Sequence, residues 1–311
     1  MSELGAALEE YLAVRRALGF KLRLAGRLLQ RFVDFADCEG ATVITVELAL
    51  QWATQPAQAQ PAQWANRLGM VRRFAQYQKA VDPRTEVPSP DLLPYRYRRP
   101  APYLYSDGEI RRLIRAARLL SSVTGLRPYT YATLFGLLAV TGMRTNEPLQ
   151  LDHEDVDLSH GVLTVRGAKF GKSRYVPIHA STQRALRRYA TLRDSLCVNP
   201  QSPSFFVSER GTRVTEWSLR WTFVKLSHEI GLRVPTDSHG PRLLDLRHRF
   251  AVNTLIRWYR AGIDVEQHLP ELATYLGHAH ITDTYWYLTA VPELMHLAAR
   301  RLDRTVRGGT P

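Results

Sequence analysis

The chain has 311 residues, enough for two domains with cores of their own. Its hydrophobic share of 45% and charged share of 23% are ordinary for a soluble globular protein. A net charge of +13 and a pI near 10 imply a polyanionic partner, with nucleic acid first among candidates. The longest apolar run, Leu134 to Val140, is far too short to span a bilayer, and Met1-Ser2-Glu3-Leu4 opens neither a basic nor an apolar signal segment. Cys38 and Cys197 stand far apart without metal-ligand neighbours, so the expectation is reduced thiols, a cytoplasmic location and no membrane contact.

Residues 1 to 81 carry helical periodicity throughout. Leu24, Leu28, Phe32 and Phe35 form one apolar stripe, and Trp64, Leu68, Val71 and Phe74 another. Arg67, Arg72, Arg73 and Lys79 accompany the second stripe, leaving basic side chains for DNA phosphates. Thr54 to Pro61 reads as a loop. Pro83, Pro88, Pro90, Pro94, Pro100 and Pro102 then break up the stretch from Asp82 to Pro102. They predict an extended linker outside any core, whose Tyr95-Arg96-Tyr97-Arg98-Arg99 cluster suits a DNA backbone.

A second domain opens at Ser106-Asp107-Gly108-Glu109, a capping box in which serine and glutamate satisfy free helix amides. A long apolar helix from about Tyr129 to Val140 ends at Gly142. Val162 to Arg166 and Arg174 to Ile178 read as strands, joined by Gly167-Ala168-Lys169-Phe170-Gly171-Lys172-Ser173, and Phe205-Phe206-Val207 as a further short strand. Helices are expected at about Thr182 to Ser195, at Glu216 to Glu229, and from Arg242 almost to the end. The sum is a mainly α fold with a small antiparallel β-sheet.

The chemistry-bearing residues lie in this second part. Arg144 stands in Thr141-Gly142-Met143-Arg144-Thr145-Asn146-Glu147, and Arg247 in Asp245-Leu246-Arg247-His248. His278, in Leu276-Gly277-His278, precedes Tyr287 by nine residues, which puts an imidazole and a phenol within reach of one phosphate. Breaking a phosphodiester without metal or water needs a nucleophile, a stabiliser of phosphate charge and a proton for the leaving oxygen. Tyrosine forms a covalent phosphodiester that keeps the bond energy for rejoining. Arginines grip phosphate oxygens in a fork and stay charged, each such donor contributing roughly 3–4 kcal/mol to a transition state. A hairpin lysine suits the proton. His278-Ala279-His280 has no third ligand at suitable spacing, so no metal and no cofactor are expected.

These motifs resemble the tyrosine recombinase (phage integrase, Xer-like) family over essentially the whole chain. The resemblance implies a two-domain DNA clamp: a helical core-binding domain over residues 1–98, ending in the Pro-rich linker, and a catalytic domain over 104–311. Thr141, Gly142, Arg144 and Glu147 match the family's T-G-x-R-x-x-E, which implies that Arg144 grips the scissile phosphate and Glu147 supports it. The hairpin lysine falls on Lys169, with Lys172 as runner-up; Lys172 and Arg174 also suit DNA phosphates. Arg247 is the second arginine, His278 the motif-III histidine and Tyr287 the nucleophile, with Tyr285 excluded by its spacing. The pattern His-x-x-Arg is broken, because Leu244 stands three residues before Arg247 and can neither donate a hydrogen bond nor carry a proton. His239 is a possible substitute, whereas His248 suits a structural role.

The implied activity is site-specific recombination or integration for a mobile element, through a 3′-phosphotyrosine intermediate on double-stranded DNA. The implied assembly is a homotetramer on two sites, with a monomer possible without DNA. Leu244 supports an alternative, a catalytically impaired DNA-binding accessory protein of the same fold; a topoisomerase-like nickase would share the chemistry. The tail from Pro292 to Arg307 suits either docking on a neighbour or folding back on its own domain.

Overall fold

The computed structural model describes residues 2–95, 102–167, 173–198, 200–234, 236–237, 240–289 and 291–306, without the side chains of 289 and 302–306. Lys169, Lys172, His239 and Arg96 to Arg99 lie outside the described residues. The chain divides into two compact units, Met1–Pro100 and Ala101–Pro311. Among the described residues no helix is long and apolar enough to cross a membrane.

The first unit is built from α1 (Glu3–Ala17), α2 (Arg23–Cys38), α3 (Val46–Thr54) and α4 (Pro61–Gln78). Ser2 and Thr45 cap α1 and α3 by accepting backbone N–H groups that have no partner inside the helix, and Pro61 opens α4, where its missing N–H costs nothing. On α2 the buried stripe is Leu29, Phe32, Val33 and Ala36. It is rotated from the expected one, and Leu24, in the first turn of the helix, is exposed. Phe32 meets Trp52 edge-on at 5.4 Å in the centre of this core.

The proline-rich stretch after α4 forms no helix or strand up to residue 95, but it is not detached from the core. The Glu86 N–H donates to the Ile44 carbonyl at 2.8 Å, and the Glu86 carboxylate accepts from the Val46 N–H at 2.7 Å. Thr85 is buried, and Val87 and Leu93 pack against the first unit's core. A carboxylate that satisfies the start of α3 holds the chain down where the prolines alone leave it extended.

The second unit is α5 (Asp107–Arg118), α6 (Leu126–Thr141), a three-stranded sheet, α7 (Ala180–Leu196), α8 (Glu216–Glu229), α9 (Leu243–Arg260), α10 (Val265–Leu276), α11 (Thr282–Thr289) and α12 (Pro292–Val306). The Ser106–Glu109 capping box starts α5. Helix α6 is apolar on nearly every face and lies inside the core, with Leu134, Phe135, Leu137 and Leu138 buried. Strands β1 (Val156–Asp157), β2 (Val162–Val165) and β3 (Arg174–Pro177) pair antiparallel in that order, with Leu163 opposite both Val156 and Val176. Phe205 to Val207 does not form a strand of its own. Only single-residue bridges join Asp152 to Ser204 and Val207 to Arg213, while Phe205 and Phe206 pack on Tyr189. Helix α12 lies on its own domain: Leu294 is buried in the cluster of Val252, Leu255 and Leu269, Glu293 pairs with Arg260 at 2.7 Å, and Arg301 donates to the Ile263 carbonyl at 2.8 Å.

Candidate active site

The site assembles around the C-terminus of α10. The last carbonyls of a helix have no partner within it and carry the negative end of its dipole. Three consecutive ones are each taken by a different arginine. Arg174 Nε donates to the Tyr275 carbonyl at 2.8 Å, Arg247 Nη2 to Leu276 at 2.8 Å, and Arg144 Nη2 to Gly277 at 2.6 Å. Each arginine arrives from a different part of the chain. Arg144 follows Gly142, which ends α6 at φ +61° and lies so close to Phe250 that a Cβ would stand 2.5 Å from its ring. Arg247 lies on α9 and also donates to the Gly142 carbonyl at 2.9 Å. Arg174 is the first residue of β3.

Glu147 is the counter-charge. It is 7% exposed, and its carboxylate accepts from the Arg144 N–H at 2.8 Å, from Arg144 Nη1 at 3.0 Å, and from Arg174 Nη1 and Nη2 at 2.9 and 2.7 Å. Burial alone raises its pKa, but the bonds from Arg174 and Arg144 outweigh that and hold it below the usual carboxylate range. Three guanidinium groups against one carboxylate leave two positive charges among these four residues, which favours an anion. Arg247 is 4% exposed; burial, with Arg144 and Arg174 nearby, pulls it down to about 10, and it stays protonated at neutral pH. Arg144 is 26% exposed and is the open face of the group.

Gly277 takes a left-handed φ of +70° at the end of α10, and the chain turns there into His278. The His278 N–H donates back to the Ala273 carbonyl at 2.9 Å, and Nδ1 is 2.6 Å from Thr284 Oγ1. Burial, followed by the charge of Arg247, pushes this imidazole down to about 4, so it is neutral at physiological pH. Tyr287 stacks on it, ring centroids 6.0 Å apart at 17°. The Tyr287 ring also meets His248 at 5.6 Å and Trp286 at 5.3 Å, and the residue is 3% exposed.

The family model for phage integrases matches residues 105–293, which contain every one of these side chains. The chain belongs to the phage integrase family of tyrosine recombinases. Among its relatives is y4rB, a candidate integrase/recombinase of Sinorhizobium fredii, 52% identical over 308 residues and covering 98% of each chain. In fold it is similar to the Tn1549 transposon integrase in complex with transposon right-end DNA (TM-score 0.70, 16% identity, 98% of this chain and 99% of that one). It is also similar to a lambda integrase tetramer bound to a Holliday junction (TM-score 0.60, 16% identity, 90% and 78%).

In this integrase-family chain the structure brings Arg144, Glu147, Arg247, His278 and Tyr287 together, and adds two residues to them. Thr284, fully buried, orients His278, and nothing in its spacing sets it apart from other helix threonines. Arg174, expected among the DNA contacts, is turned inward onto Glu147. The alternation of β3 was a usable signal, because Arg174 shares a face with Val176, which is fully buried. Leu244 sits 40% exposed on the first turn of α9, and His248 one turn further on. In the first unit Arg67 is not free for phosphate as expected: it stacks over Trp52 at 3.7 Å and donates to the Trp52 carbonyl at 2.6 Å. Arg72 and Arg73 instead line an open cleft of about 410 Å3 with Ser89 and Tyr95, and Lys79 is exposed at the end of α4.

Proposed function

We propose that this protein is a site-specific DNA recombinase of a mobile element, cleaving and rejoining duplex DNA through Tyr287. The observation that carries the reading is the convergence of Arg144, Arg247 and His278 on one helix end, with the Tyr287 ring stacked on the imidazole. The Tyr287 oxygen attacks phosphorus, the P–O5′ bond breaks, and a 3′-phosphotyrosine and a 5′-hydroxyl result. Arg144 and Arg247 stabilise the charge that builds on the phosphate oxygens, their guanidinium planes already fixed by helix carbonyls. Neutral His278, held through Nδ1 by Thr284, can accept a proton from the attacking phenol or donate a hydrogen bond to the phosphate. Lys169 supplies the proton to the leaving 5′ oxygen. Because Tyr287 is 3% exposed, its hydroxyl reaches a phosphate only if the side chain or the α10–α11 turn opens.

The first unit serves as the core-binding domain, with Arg72, Arg73 and Lys79 neutralising backbone phosphates. Four protomers act on two sites, a reading supported by the lambda integrase tetramer bound to a Holliday junction. Leu244 removes one acid–base group, an effect of about 10²–10⁴-fold, and slows the chemistry relative to a chain with histidine there.

The test is a set of nicked duplexes tiled across the DNA that flanks the gene, scored for a covalent protein–DNA band. A band lost in Tyr287→Phe supports the enzyme. No band from the wild type, with a band from Leu244→His, overturns it in favour of an impaired DNA-binding protein.

A further inference from the structure

We infer that Arg174 is a positioning residue for strand transfer, a buried clamp that fixes Glu147 to the last turn of α10 so that Arg144 and His278 share one geometry. The inference rests on the strand-transfer reading above. Both Nη atoms of Arg174 donate to the two oxygens of Glu147, and Nε donates to the Tyr275 carbonyl, so every nitrogen of the guanidinium is held within the protein. Its side chain is 10% exposed, with all three guanidinium nitrogens so bonded.

The surroundings are shaped to it. A Cβ on Gly277 would stand 2.8 Å from Arg174 Nη1 and 3.0 Å from its Cζ, so the residue before His278 must be small for the clamp to close. Glu147 is shared, because it also accepts the backbone N–H and Nη1 of Arg144. Without Arg174 the buried carboxylate keeps a single cationic partner and is free to turn, and α10 loses one of three anchors on its final carbonyls. Both changes act on the residues that would meet the phosphate. Arg174 also opens the strand that follows the segment carrying Lys169, and so ties that strand to the same helix end.

The experiment uses the full chain as wild type, Arg174→Met and Arg174→Lys. It measures the salt dependence of duplex binding, the rate of covalent-complex formation on saturating nicked duplex, and the melting temperature. A positioning role predicts an Arg174→Met rate lower by about 100-fold at saturation, with an unchanged salt slope. Arg174→Lys restores the charge without the fork and stays well below the wild-type rate. Loss from Glu147→Gln overlaps that of Arg174→Met instead of adding to it.

A salt slope shallower by about 0.9 with a normal saturated rate makes Arg174 a phosphate contact and overturns the inference. Arg174→Lys at the wild-type rate overturns it as well, and decides the matter alone if the methionine variant is unfolded. A wild type that forms no covalent complex overturns the strand-transfer reading and this inference with it. A wild-type complex matched in rate by Arg174→Met overturns the inference only.

Discussion

The arginines of the first unit and those at the end of α10 differ in what holds them. Arg72 and Arg73 line an open cleft, and Arg67 lies across an indole ring. Arg144, Arg174 and Arg247 are tied by carbonyls and one carboxylate, and burial, reinforced by the neighbouring positive charges, pulls Arg247 and His278 down. An open arginine neutralises phosphate wherever the backbone passes and suits affinity. A tethered one has its orientation fixed before substrate arrives and suits a transition state, at the cost of confining like charges.

The contrast breaks most clearly at Arg247. Arg247→Lys keeps the charge but cannot hold both the Gly142 and Leu276 carbonyls, so covalent-complex formation should fall by about 10²–10³-fold in a single-turnover assay. A rate within threefold of wild type would mean that the tethers do not matter. Leu244→His tests the same site from the other side: an added acid–base group should speed cleavage by about 100-fold, with duplex affinity unchanged in a titration.

Gly277→Ala comes next in size. It forces a side chain into a left-handed position and against Arg174, so chemical denaturation should show a loss of about 1–2 kcal/mol or more, alongside slower cleavage. In the first unit the effect should be smaller and of another kind. Arg72→Ala with Arg73→Ala should weaken binding and flatten its salt dependence by up to about 0.9 per lost phosphate contact, leaving the cleavage rate at saturation unchanged.

A separate effect lies in the pH dependence of stability. His278 titrates near 4 in the folded chain and near 6.5 unfolded. Between those values the unfolded chain binds a proton that the folded chain does not. The contribution is therefore complete above about pH 6.5 and lost as pH falls toward 4. Melting temperatures of wild type and His278→Gln should diverge across that window; parallel curves would show that the imidazole is not held neutral.

Much of the fold could be read locally. The Ser106–Glu109 box starts α5 and Gly142 ends α6, because caps and left-handed terminators act within a few residues. Other expectations depended on partners distant in sequence. Leu24 belongs to a helical stripe but is exposed, Phe205 to Val207 has only single-residue bridges, and the proline stretch is held through Glu86 to the start of α3. At the site, Arg144, Arg247, His278 and Tyr287 stood out because they stand in short motifs that resemble those of the family. Thr284 did not, and for Arg174 only the alternation of β3 marked an inward face, because what each bonds to depends on what folds against it.

The sequence by itself determined a basic, mainly helical chain of the phage integrase family, with a histidine and a tyrosine at fixed separation and a leucine where a histidine would stand. Only the tertiary structure decided that three arginines from three elements end on consecutive carbonyls of one helix, that Glu147 is shared between two of them, and that Tyr287 is stacked away from solvent. Helix periods and caps are written within a few residues of one another, whereas the contacts at the end of α10 join residues up to 133 positions apart, a separation that no local pattern encodes.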